Sequence, residues 1–211
     1  MSDKFKLLLK QIHFPQHEEA YNEIKSGSIE SVKLFKSKRQ WFFVFSFRNL
    51  LSYETFTLFD NLLHSSFDSL GAKVSYMINV EDISCDQSLL EAYFSYALDI
   101  LKSSHFSIYS LFSNLGIEIS NNSISVKAPA HILRENLHER FIALIADVLS
   151  NVGLSNVSIS VLEDKEASSS LEEAYETNKI SLQEEAESQA RQALQSIVQS
   201  SPVPPPQDRK S

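Results

Sequence analysis

Cysteine occurs once in these 211 residues, at Cys85, so an intramolecular disulfide framework is excluded and no metal site can rest on thiolates. A reducing cytoplasm is then the simplest compartment. Glycine occurs only four times, and none of the four sits in a phosphate-cradling loop or a nucleophile elbow. An Asp-x-Asp pair is missing as well. No apolar run approaches bilayer length, and the stretch from Met1 to Lys10 is too short and too polar for a signal peptide. These absences argue for a soluble intracellular chain without an enzymatic centre of its own, and no cofactor is expected.

Charge is unevenly placed. The formal net charge is −8, with 14 Lys and Arg against 17 Asp and Glu in residues 1–160, and 5 against 10 in residues 161–211. Acidity therefore gathers toward the C-terminal end, and the overall balance is not that of a general nucleic-acid-binding surface.

The scarce glycines fall in a repeating plan. Gly27 and Gly71 bracket the same order of elements as Gly116 and Gly153, namely helix, Gly, strand, tight turn, strand, long helix, Gly, strand. In the first stretch Phe5, Leu8, Leu9 and Ile12 recur at helical spacing before Pro15, and a short helix follows from Glu18 to Lys25. Ile29–Phe35 and Trp41–Phe47 read as strands of a hairpin around Lys36-Ser37-Lys38. Ser52 is an N-cap for a helix whose apolar face carries Phe56, Phe59, Leu63, Phe67 and Leu70, and Val74–Val80 closes the unit.

The second stretch repeats this with other residues. A helix over 84–102 carries Leu90, Tyr93, Phe94, Ala97, Leu98 and Leu101, and a shorter one spans 105–114. Ile117–Ile119 and Ile124–Val126 flank the turn pair Asn121-Asn122. Pro129 opens one long helix through Leu133, Leu137, Phe141, Leu144, Ile145, Val148 and Val152, and Val157–Val161 is the last strand. The fold class is α+β, with two small helix-strand-strand-helix-strand modules over 1–82 and 83–165. Residues 166–200 read as an extended acidic helix with a Ser170–Glu173 capping box, and the prolines after 201 as a linker.

Chemistry-bearing constellations are few. His131 and His138 lie two helical turns apart without the nearer ligand a zinc site needs, and Glu135 and Glu139 fit a solvated helix face. The informative window is 31–53, where Lys33, Lys36, Lys38, Arg39 and Arg48 occur with no acidic residue, interleaved with aromatics. Period-two alternation predicts that Trp41, Phe43, Phe45 and Phe47 face the core. Phe42 and Val44 then lie on the opposite face, where a partner or the second module must cover them. Lys36, Lys38, Arg39, Phe42 and Val44 are accordingly the candidate partner or nucleic-acid surface.

Arg39-Gln40-Trp41-Phe42-Phe43-Val44-Phe45-Ser46-Phe47, followed by Leu50-Leu51-Ser52 and a helix, resembles the basic-x-Trp-x-Phe-x-Phe strand near the start of PolC-type DNA polymerase III α-subunits. Further matches are the helix from Phe5 to Ile12, the aromatic helix around Leu89-Leu90-Glu91-Ala92-Tyr93-Phe94, and the acidic Ala/Gln-rich stretch running into prolines. The resemblance covers about Lys4 to Pro206. Where the family usually has Glu after the tryptophan, this chain has Phe42.

The resemblance implies two non-catalytic modules, the first similar to the polymerase-binding domain of the clamp-loader τ subunit and the second KH-like. An OB domain and the exonuclease, PHP and polymerase parts would follow in the full enzyme. It implies a front piece that docks a replisome partner such as τ and does not polymerise alone, with no counterpart to the acidic residues that bind catalytic magnesium. The rival reading from the residues themselves is a free-standing KH-like single-strand nucleic-acid binder or adaptor. Against it stands the lack of a Gly-x-x-Gly clamp loop.

Overall fold

Aromatic and β-branched residues at period two make residues 28–49 a hairpin: β1 (Ser28–Phe35) runs antiparallel to β2 (Gln40–Asn49), with a register shift between Ile29 and Ser31. A computed structural model describes residues 3–16, 19–120 and 122–165. The hairpin turn is a single 3-10 turn over Lys36–Lys38, closed by Arg39 in the left-handed region (φ 47°), whose N–H donates to the Lys36 carbonyl at 3.2 Å. Helix α3 (Tyr53–Ser69) crosses back so that β3 (Lys73–Asp82) pairs parallel with β2. The sheet order is β1-β2-β3. Two short helices precede it, α1 (Asp3–Gln11) and α2 (Glu19–Ile24).

The second module repeats this topology, with two helices in place of one in its crossover. Helices α4 (Gln87–Ser104) and α5 (Phe106–Phe112) lead into β4 (Gly116–Ser120) and β5 (Ser123–Ala128), an antiparallel pair. Helices α6 (Ala130–Arg134) and α7 (Leu137–Asn151) form the crossover, and β6 (Ser158–Glu163) lies parallel to β5. Gly71 (φ 64°) and Gly153 (φ 99°) occupy matching places between crossover helix and closing strand, as expected from the repeat.

The expected single helix from Pro129 is instead two helices. Asn136 adopts a left-handed conformation (φ 54°) and breaks the run between α6 and α7. The break is invisible in the apolar pattern because Leu133 and Leu137 keep helical spacing across it. Likewise α4 starts later than the spacing predicts, since Asp86 rather than Ser84 caps it by accepting from the Leu89 N–H at 2.8 Å. Leu70, expected on the apolar face of α3, is exposed.

Both sheets belong to one compact unit over residues 1–164, and their buried side chains form one continuous cluster. Phe5 of α1 lies with its ring 5.9 Å from Phe45, 5.8 Å from Phe47 and 6.3 Å from Phe59, which plugs the end of the first sheet. Across the module junction Phe56 of α3 meets Tyr93 and Tyr96 of α4, each with ring centres 5.1 Å away. The Tyr93 hydroxyl donates to the Leu51 carbonyl at 3.1 Å inside this core. The backbone of Gly153 runs against Val80, Leu50 and Ile78 of the first module. Residues 166–211, to which the acidic helix and the proline-rich linker were assigned, lie outside the described residues.

Candidate functional site

Strand β2 separates two kinds of surface because successive side chains alternate in direction. On the helix side Phe43, Phe45 and Phe47 are buried and Trp41 is half-buried, stacked on Phe43 at 6.1 Å between ring centres. This is the alternation predicted from the sequence. On the other side Phe42 pairs in register with Lys33 and Ser75, and Val44 with Ser31 and Met77. Phe42 and Val44 are half-buried by their strand neighbours, and neither belongs to the core cluster or packs against it. The second module does not put either residue into that cluster; its Gly153 approaches Ile78 and Val80 of β3.

The predicted basic residues gather at one end of this outer face. Lys33 lies beside Phe42, Lys36 and Lys38 form the turn, and Arg39 follows, with Lys73 held to it by a backbone hydrogen bond of 2.8 Å to the Arg39 carbonyl. All five are exposed. None of them makes an ion pair among the described residues. At the other end of the face Asn79 donates to the Glu30 carboxylate at 2.8 Å, which gives that end a different, self-satisfied polarity. Arg48, expected in the same basic window, stands near the far end of β2, apart from the turn cluster.

The corresponding face of the second sheet is built differently. Ser125 and Ser160 share a hydrogen bond of 3.0 Å, and Lys127 pairs with Glu118 at 2.6 Å. Leu162, in register with Lys127, is exposed on this face. The two modules thus share a topology, but of the two sheets the first carries exposed lysines without an ion pair among the described residues beside its apolar groups.

Sequence reasoning missed part of this surface. Phe35 of β1 and Met77 of β3 are exposed large apolar residues on this face, and Val32 and Leu34 are exposed on the helix side of the same edge strand. The run Val32-Lys33-Leu34-Phe35 was legible as a strand, but nothing in its pattern marks it as the edge of a sheet. His131, Glu135 and Glu139 are exposed, in keeping with a solvated helix face, and among the described residues no three His, Cys, Asp or Glu side chains converge as a metal site.

A polar cluster at the module junction was also illegible. Asp60 accepts from the Tyr76 hydroxyl at 2.6 Å and lies 3.3 Å from His64 Nε2, beside a cleft of about 190 Å³ that Tyr96 and Asn151 of the second module also line. The hydrogen bond to Asp60 raises the His64 pKa above its ordinary value against the opposing effect of burial. Burial pushes the phenols of Tyr76, Tyr93 and Tyr96 up, so all three are neutral donors at neutral pH.

Comparison with known proteins bears on both modules. The family described as DNA polymerase III polC-type N-terminus I matches residues 4–78, and that described as DNA polymerase III polC-type N-terminus II matches residues 92–207. A DNA polymerase III PolC-type of Streptococcus thermophilus is 98% identical over all 211 residues, which span 14% of its length. The PolC-type polymerase of Streptococcus agalactiae is 28% identical over 92% of this chain and 13% of its own length, and that of Streptococcus suis 25% identical over 97% and 14%. No solved structure matches. With both N-terminal families matched in order along a repeated α+β unit, the chain belongs to the PolC-type DNA polymerase III family of DNA replication, as its N-terminal region.

Proposed function

We propose that this region is a non-catalytic docking platform of a PolC-type replicative polymerase, and that the outer face of its first sheet binds the clamp-loader τ subunit. The observation that carries the reading is the contrast between the two sheets. Half-buried Phe42 and Val44 and exposed Met77 lie beside Lys33, Lys36, Lys38 and Arg39, which make no ion pair among the described residues, whereas on the second sheet Lys127 pairs with Glu118 and Ser125 with Ser160. Solvent-facing apolar groups rimmed by charge are the common dress of a protein interface. On this reading the template-directed synthesis and the 3′–5′ exonuclease activity reside in the rest of the enzyme. The first module's likeness to the polymerase-binding domain of τ, and the second's to KH modules, belong to the same proposal. So does an extended helix over 166–200.

Calorimetric titration of purified τ into the 211-residue chain tests the reading. Binding is expected, and Phe42→Ser with Val44→Ser should weaken it at least about tenfold, the loss of one buried anchor. Association weaker than about 1 mM leaves no useful free energy and overturns it.

A further inference from the structure

We infer that the outer edge of β1 accepts an extended acidic segment of a protein partner as a fourth strand of the first sheet. The inference rests on the docking reading and adds the mode of capture and the partner's chemistry. In the order β1-β2-β3, β1 is an edge, and its backbone hydrogen bonds over residues 31–35 go only to β2 among the described residues. Alternate N–H and C=O groups along that stretch therefore point away from β2 with no partner among the described residues. Such an edge is a template for strand addition.

The side chains state what would add. Val32 (43% exposed) and Leu34 (45%) share the register of Phe43 and Trp41 on the helix side, while Lys33 shares that of Phe42 on the outer side. A strand laid along this edge meets apolar groups on one of its faces and a cation on the other. Phe35 (47% exposed), in register with Gln40, continues the outer face, and Lys36, Lys38 and Arg39 add cations at the turn, Arg39 with its Nη1 toward Gly71 after α3. No acidic residue occurs between Ser31 and Tyr53. Charge complementarity thus selects an alternation of apolar and acidic residues, each opposite its match.

The other three edges lack this combination: β6, although Leu162 on it is exposed, carries no basic residue. Strand β3 ends in Glu81-Asp82 and has Gly153 of the second module against Val80. Strand β4 is shorter, and Glu118 on it is already paired with Lys127. The register shift at Ile29 and Ser31 interrupts pairing and sets the N-terminal limit of the docking stretch, and Lys33 within it disfavours any strand that brings no acidic partner.

The test uses the isotope-labelled 211-residue chain and an acetylated eight-residue peptide of alternating valine and glutamate. Amide resonances of residues 31–35 should shift on titration, and alternate amides there should gain protection from hydrogen exchange. Lys33→Glu should weaken the peptide at least about tenfold. Methylating the peptide's backbone nitrogens should abolish binding while leaving its side chains unchanged. No shift at about 1 mM peptide overturns the inference, as does equal binding of the methylated peptide or of an alternating valine and lysine peptide. An oligothymidylate that shifts the same residues when the peptide does not would replace it with a nucleic-acid surface. The τ titration separates the two readings: τ binding that survives Lys33→Glu and depends on Phe42 leaves the docking platform standing and removes the edge, whereas strand addition without τ binding does the reverse.

Discussion

Replacing Gly153 with alanine should cost far more than the same change at Gly71, although both residues have positive φ and both link a crossover helix to a closing strand. At Gly153 an added Cβ would stand 2.5 Å from Val80 Cγ2, with Leu50 Cδ1 at 3.5 Å and Ile78 Cγ2 at 3.6 Å. Carbon atoms pack at about 3.5–4.0 Å, so Val80 and its strand must yield. The left-handed backbone costs about 1–2 kcal/mol for a residue with a Cβ, and overpacking a junction this tight adds about 1–3 kcal/mol. The expected loss is about 2–5 kcal/mol, or a fall in melting temperature of about 5–15 °C for a unit of this size. At Gly71 the nearest atom is Arg39 Nη1 at 4.0 Å, so only the backbone contribution of about 1 kcal/mol remains. Thermal and urea unfolding of the two variants measures the difference directly. Val80→Ala in the Gly153→Ala background should recover part of the loss, because the clash partner is then shortened. Equal melting temperatures for Gly153→Ala and Gly71→Ala would refute the close approach of the modules at this point.

Three further outcomes are expected. Phe45→Ala should cost about 3–5 kcal/mol and Phe42→Ser no more than about 1 kcal/mol, since only Phe45 sits in the core; similar losses in urea unfolding would mean that the outer face is covered. Tyr93→Phe removes the hydroxyl donor of the buried Leu51 carbonyl and should destabilise by about 1–3 kcal/mol, with an unchanged urea midpoint as the contrary result. His64 has a folded pKa above the ordinary 6.5, so its pairing with Asp60 contributes stability that is full below about pH 6.5 and is lost as pH rises through the folded value. The stability difference between the parent chain and His64→Gln should therefore shrink on going from acid to mildly alkaline pH, and a His64 ring titrating at or below 6.5 by NMR would contradict the pairing.

Much of the fold was legible because its signals are local. The Phe43, Phe45, Phe47 alternation, the Ser52 cap and the glycines at helix ends each encode an element within a few residues, and their recurrence exposed the repeat. The candidate surface was half legible. Phe42 and Val44 follow from period two alone, but the exposure of Val32 and Leu34 depends on which strand ends up at the edge, and sheet order is set by the α3 crossover rather than by the strand. The break at Asn136 escaped because a left-handed asparagine leaves no gap in the apolar stripe. The Asp60, Tyr76 and Tyr96 cluster escaped because it joins side chains of three successive elements, α3, β3 and α4, whose facing sides are set by tertiary packing and not by any local period.

The shared core has a consequence for synthesis on the ribosome. Phe56 is covered by Tyr93 and Tyr96, and Ile78 and Val80 by the backbone around Gly153, so the first sheet is complete as a sheet long before its helix-side core is dry. Between the emergence of Val80 and that of Gly153 a translating chain carries this apolar surface in water for about 4–15 s at ordinary elongation rates. The first module waits in that interval with a finished hairpin and an unfinished interior: Phe56 is covered once Tyr96 is out, but Ile78 and Val80 stay open until Gly153 arrives.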